Sequence, residues 1–173
     1  MKPEELLHLF SPYLPTDRFR ALLRNGELPE MSEGATLLVD ISGFTPMTTQ
    51  FVAQYGPERA SEEVKRKLNP MFEAIAGQVF HHGGSVIRFT GDGFIAWFSD
   101  NDPDQTLTAE VIIPAALRAI SAGLGMQSLM QIFRGLRLKI CVGTGKTFRW
   151  VVGHPQYSRR TRQGRSPYRH NGE

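Results

Sequence analysis

From position 57 to 82 apolar residues recur at three- and four-residue steps. Ala60, Val64, Leu68, Phe72, Ile75 and Val79 thereby share one face of a predicted helix. Pro70 lies inside it and predicts a kink, and Gly83-Gly84 predicts its end. Shorter apolar runs read as strands. ATLLVD (35–40) is one; SVIRFT (85–90) and FIAWF (94–98) are a pair joined by the hairpin turn Gly91-Asp92-Gly93. LRLKICVG (136–143) and FRWVVG (148–153) read as a second hairpin turning at Thr144–Thr147.

After the first strand Gly43 permits a tight turn. Thr45 is placed to cap a helix that starts at Pro46 and runs to about Tyr55. The polar loop DNDPDQT precedes a further helix over roughly 107–134, weakened in its middle by Gly123 and Gly125. Residues 3–25 form one or two short amphipathic helices with the stripe Leu6, Leu7, Phe10 and Leu14, interrupted by Pro15 and by the segment 26–34. Mixed strands with helices between them predict an α+β domain with helices on one side of a sheet. No repeat is visible at any period.

A chain of 173 residues is enough for one domain and a tail, divided here as a lead-in over 1–33, a domain over 34–157 and a tail over 158–173. Apolar residues at 40% and charged residues at 21% exclude a disordered chain. The single cysteine, Cys141, excludes an internal disulfide framework and a cysteine-based zinc site. No apolar run approaches ~18 residues, so no membrane-spanning helix is expected. The acidic start MKPEELLHLF does not suit a signal peptide, which makes the cytoplasm the expected location.

The net charge of +3 changes meaning once it is located. Residues 154–173 carry five arginines and one glutamate, which leaves residues 1–153 at net −1. A basic tail can attract nucleic acid. The segment SRRTRQGRSPYRHNGE has almost no apolar residue, however, and reads as a solvated tail. Nucleic acid is not an expected partner.

The sharpest candidate chemistry is a pair of aspartates at strand ends. Asp40 closes an apolar strand before a glycine turn, and Asp92 sits at a hairpin tip between Gly91 and Gly93. A carboxylate at the end of a buried strand is costly unless something pairs with it. Two on neighbouring strands can share Mg²⁺, which prefers carboxylate and phosphate oxygens. The N–H groups at the start of the following helix would form an anion site suited to a triphosphate. The plainer reading is that both are turn aspartates.

Around these residues the chain resembles a known family. LLVDISGFTPMT (37–48), LN-x-x-F (68–72) and HHGGSVIRFTGDGFIAWF (81–98) together are similar to the class III adenylate/guanylate cyclase catalytic domain, over about residues 34–153. The variety most alike is the first domain of soluble, bicarbonate-responsive tandem cyclases. The resemblance implies a ferredoxin-like cyclase domain that converts ATP (or GTP) to the cyclic nucleotide and pyrophosphate. It implies two Mg²⁺ or Mn²⁺ ions held by Asp40, Asp92 and the carbonyl of Ile41. It places the β- and γ-phosphates on the turn Ser42, Gly43, Phe44 and Thr45, with Gly91 beside them. It implies a second cyclase domain as partner.

The departures are informative. Homodimeric members carry a purine-reading lysine six residues before the second metal aspartate; that position is Val86 here. The family's later helix bears an asparagine and a catalytic arginine, a pattern that SRRTRQGRSPYRHNGE does not show. The expectation is a domain with C-terminal elements missing or altered beyond about Tyr157, inactive without a complementary domain. Two other functions fit the same residues: a non-catalytic regulatory or dimerisation module, and an unrelated two-metal phosphotransferase.

Lesser features have plainer readings. Arg88, four residues before Asp92, matches an anion-site lysine of bicarbonate-responsive relatives, but also serves as a cation that offsets the aspartates. Gly143-Thr144-Gly145-Lys146-Thr147 is similar to part of a phosphate-binding loop, yet Ile140 stands where its first glycine belongs and a hairpin turn is expected. His81-His82 fits the cation preference of a helix end, and Met126 and Met130 fit a core.

Overall fold

The computed structural model describes residues 14–24, 26–100, 113–133 and 135–150. The first part of the lead-in helices, the beginning of the helix expected over 107–134 and the basic tail lie outside the described residues. The elements are α1 (Thr16–Leu23), β1 (Met31–Ser42), α2 (Phe44–His81), β2 (Ser85–Phe89), β3 (Gly93–Ser99), α3 (Ala115–Leu129) and β4 (Arg137–Phe148). The strands form one antiparallel sheet in the order β2-β3-β1-β4.

Strand alternation explains the layering. In β1 the side chains of Ala35, Leu37, Val39 and Ile41 are buried, as are Phe94, Ala96 and Phe98 of β3. They pack with Met71, Ile75 and Val79 of α2 and with Ala119, Ala122 and Met126 of α3 in one core. Both long helices therefore cover one face of the sheet, as expected. Leu38 and Asp40 alternate to the other face. There Leu38 is 46% exposed, because among the described residues no helix covers this end of the face. Ile75 is fully buried. Ile75→Ala is expected to cost about 2–5 kcal/mol of stability, read by chemical denaturation.

Buried polar groups tie the elements together. Asp100 accepts the Ala115 N–H at 2.6 Å, which satisfies an orphan donor at the start of α3. The buried Arg118 donates to the carbonyls of Ser99, His82 and Gly83, pinning the end of β3 to the end of α2. Arg149 pairs with the buried Asp17 at 3.2 Å and donates to Ser32 Oγ at 2.6 Å, so α1 is fastened where β1 begins and β4 ends. His82 Nδ1 lies 2.9 Å from the carbonyl of Gln78, a local contact at the helix end. Met126 is buried and Met130 packs beside it, as expected of core residues.

Several expectations need correction. The second hairpin does not form: residues 137–148 are one strand, paired with β1 from Ser42↔Arg137 to Met31↔Phe148. β1 begins at Met31 rather than at 35, and this longer strand supplies partners for every residue of the presumed turn. Gly143 and Gly145 are not among the glycines with positive φ, consistent with extended chain. Lys146 lies within β4 and no helix follows it among the described residues, so the phosphate-loop likeness has no structural counterpart there.

Helix starts also differ. α2 begins at Phe44, its N-cap is Gly43 and no side chain caps it, so Thr45 lies in the first turn and not at the cap. Pro46 is tolerated because N–H groups of a first turn have no intrahelical acceptor. The interruption of α2 is at Gly56 (φ 77°, ψ 163°), between the two helices expected on either side of it. Pro70 leaves the backbone helical. α3 ends at Leu129, short of 134.

Candidate functional site

The two aspartates meet because β1 lies beside β3. Asp40 pairs in register with Gly93, the residue after Asp92. One residue further, the N–H of Ile41 donates to the carbonyl of Asp92 at 2.8 Å. The N–H and C=O of one strand residue point to the same side. The Ile41 carbonyl therefore faces the Asp92 turn, beyond the last β1–β3 pair.

That turn is tight. Thr90 N–H donates to Gly93 C=O at 2.9 Å, and Asp92 N–H donates to Thr90 C=O at 2.7 Å. Gly91 has φ 69°, a conformation that costs glycine little. At Gly93 the constraint is space: a Cβ there would lie 2.0 Å from the carbonyl oxygen of Val39. Gly93→Ala must push β3 off β1 at the site itself. The expected cost is about 3 kcal/mol, seen as a drop of roughly 6–12 °C in melting temperature.

The turn between β1 and α2 forms the other wall. Gly43 has φ 96°, and a Cβ there would lie 2.7 Å from Gly135 C=O. Within the first turn Met47 N–H returns to Gly43 C=O at 3.3 Å, and Pro46 has no N–H. The N–H groups of Phe44 and Thr45 are left at the positive end of a long helix, where an anion is stabilised.

Asp40 is half exposed, and Lys139 of β4, opposite it in register, places Nζ 3.9 Å from Oδ2. The two side chains share a cavity of about 320 Å³ with Leu38, Thr90, Ile95 and Cys141. Lys139 was not singled out in the sequence. The available signal was cross-strand: only the β1–β4 register puts it opposite Asp40. A bulge between Val86 and Arg88 sets Arg88 opposite Ile95 on the open face, exposed. Among the described residues the ion-pair partner of Asp40 is Lys139, not Arg88. Val86 is buried against the core, opposite Ala96.

An all-oxygen donor set of two carboxylates and a carbonyl suits Mg²⁺ or Mn²⁺. Among the described residues no cluster of three or more histidine, cysteine, aspartate or glutamate side chains occurs, so a metal here would complete its shell with the carbonyl, water or phosphate. The Lys139 contact is loose and both partners are exposed, so the ammonium can move aside for a cation or turn toward a phosphate.

No protein-family model matches the chain. Human adenylate cyclase type 10 is 29% identical over 128 residues, 73% of this chain and 8% of that protein. A bacterial light-regulated adenylyl cyclase superposes with a TM-score of 0.64 at 17% identity, over 88% of this chain and 43% of the other. The chain has the class III cyclase fold. The guanylyl cyclase Cya2 superposes on this cyclase fold with a TM-score of 0.50 at 25% identity, over 73% of this chain and 60% of the other. The chain spans 7–8% of the length of the curated cyclases it matches. Asp40, Asp92 and the turn before α2 all lie among the described residues. Among its described residues no helix is long and apolar enough to cross a membrane.

Proposed function

We propose that this chain supplies the metal-bearing half of a nucleotide cyclase site, with ATP as substrate and cyclic AMP and pyrophosphate as products. The observation that carries the reading is the hydrogen bond from Ile41 N–H to Asp92 C=O at 2.8 Å, which joins the Asp92 turn to the end of the strand that carries Asp40. Asp40, Asp92 and the Ile41 carbonyl would hold two Mg²⁺ or Mn²⁺ ions. When bound, such ions lower the pKa of the ribose 3′-hydroxyl and offset charge on the triphosphate.

The chain's own groups supply orientation and charge. N–H groups of Gly43, Phe44 and Thr45 receive the β- and γ-phosphates at the start of α2. Lys139, beside Asp40, is placed to turn its ammonium onto the triphosphate as the α-phosphorus is attacked. Leu38 and Ile95 give the nucleoside an apolar floor on the open sheet face. The 3′-hydroxyl proton would leave to solvent, which reaches the site where Asp40 and Lys139 are exposed.

Base recognition must come from elsewhere. Val86 holds the position of the purine-reading lysine, and its side chain faces the core, away from the open face. A second cyclase domain across the open face would provide it, along with the catalytic arginine and asparagine. The specific observation behind the second reading, a non-catalytic regulatory module, is this same buried Val86. A cyclic-nucleotide assay of the chain with a second cyclase domain, using Mn²⁺-ATP, separates the two readings.

A further inference from the structure

The outer edge of β4 is open. Ile41 N–H donates to the Asp92 carbonyl, so the main-chain groups of Ile41 point toward β3. Its β4 partner, Leu138, must then direct its own N–H and C=O away from β1. On that side the Leu138 carbonyl accepts the side-chain amide of Gln127, from α3, at 3.2 Å. The β1–β4 register runs unbroken from Arg137 to Phe148, so Ile140, Val142, Thr144 and Lys146 aim their main-chain groups at the same edge. β4 ends the sheet order, and among the described residues no strand pairs with this edge. Lysines on an edge strand commonly discourage such pairing. Here both lysines of β4 reach β1 instead, Lys139 to Asp40 and Lys146 to Glu33.

Beside this edge lies an apolar flank of α3. Ile120 stands two helical turns before Gln127 and so shares its flank, next to the edge. Leu117, Ile120 and Leu124 are 54%, 45% and 65% exposed. The only charged residue of α3 is Arg118, which is buried. The outward side of α2, by contrast, carries Glu58, Arg59, Glu62, Lys65 and Arg66.

We propose that a second copy of this chain docks here, its β4 antiparallel to the first across a two-fold axis at Gly143. A strand edge with a helix flank above it calls for a partner that offers a strand and a helix in the same relation. A second copy offers both by symmetry. Ile140 then pairs with Lys146 of the second copy and Val142 with its Thr144, which satisfies the open main-chain groups on both sides. The two α3 helices lie on the same face of one continuous sheet. A flank without charge meets itself with no repulsion, whereas an acidic or basic partner would find no countercharge on it. The open face at Asp40 stays free, so this interface does not rest on the cyclase reading.

Analytical ultracentrifugation of the full chain over a concentration series tests this. The wild type should show a reversible monomer–dimer equilibrium. Ile120→Lys brings two ammonium groups to the seam and should weaken the dimer by about tenfold or more, with the melting temperature unchanged. Thr144→Pro removes an outward N–H and no β1–β4 bond, and should weaken it likewise. At Gly143 a Cβ would meet nothing within 4 Å. In a Cys141→Ser background, Gly143→Cys should therefore give a disulfide-linked dimer on oxidation, since closely opposed antiparallel residues have Cα atoms about 4.5 Å apart. A wild type that stays monomeric at every concentration overturns the proposal. If its Ile140 and Val142 amides are then protected from hydrogen exchange, another segment of the same chain covers the edge. A dimer that responds to neither Ile120→Lys nor Thr144→Pro, as one formed through the open face would not, also overturns it. So does a dimer that the cysteine at 143 fails to link. Should Thr144→Pro unfold the chain, Ile120→Lys and the cross-link decide.

Discussion

Asp40→Ala and Asp92→Ala are each expected to abolish metal-dependent nucleotide binding while leaving the fold in place. Asp40 lies in β1 and Asp92 on the β2–β3 turn, joined by the Ile41–Asp92 hydrogen bond, and that bond is between main-chain atoms. Neither substitution removes it. Asp40 is half exposed, and its loose ion pair with Lys139 is worth little to stability, since exposed pairs contribute about 0–1 kcal/mol. The loss should therefore appear in binding alone. With one carboxylate gone, the other and a single carbonyl leave too few charged oxygens to hold the cations against the cost of dehydrating them. The measurement is a calorimetric Mn²⁺-ATP titration of both variants beside their melting curves. Wild-type affinity in both would overturn the assignment of this pair as the metal site.

The second large effect is expected in turnover. The purified chain should make little or no cyclic nucleotide from Mn²⁺-ATP, and a complementary cyclase domain should raise the rate by several orders of magnitude. Val86 lies in the core, so this chain does not read the purine from that position. The sequence SRRTRQGRSPYRHNGE does not show the family's asparagine and arginine pattern. A second copy of the chain lacks the same groups. Where an arginine that stabilises a phosphoryl-transfer transition state has been compared with its absence, the difference is on the order of 10³–10⁵ in rate. Brisk turnover by the chain alone would show that the missing groups are supplied from within it. No turnover with any complementary domain, together with intact nucleotide binding, would favour the regulatory module.

How much of this was readable in advance varied with the kind of interaction. The long helix face from Ala60 to Val79 was plain, because a helix buries a stripe whose period is set by local geometry. The strand over 35–40 was plain as a short apolar run that ends before a glycine turn. The β4 strand was misread. Its outer half, Gly143 to Thr147, is small, polar and exposed, and such a segment resembles a turn unless its partner is known. The partner is the beginning of β1, more than 100 residues away in sequence, and no local pattern carries that pairing. The cap of α2 was misplaced by one competing choice: Thr45 has the right side chain, but Gly43 adopts the positive φ that turns the chain.

The candidate site divides in the same way. By itself, the sequence determined the two aspartates, the glycine turns beside them and the likeness to the cyclase family, because each rests on contiguous residues and short spacings. Only the tertiary structure decided that Ile41 bonds to the Asp92 turn, that Lys139 and not Arg88 pairs with Asp40, and that Val86 points into the core. It also set the outer edge of β4 beside the uncharged flank of α3. These are cross-strand and helix-to-strand juxtapositions, set by sheet register and by a single bulge before Arg88. A shift of one residue in either would exchange the faces, and nothing local in the chain specifies that shift.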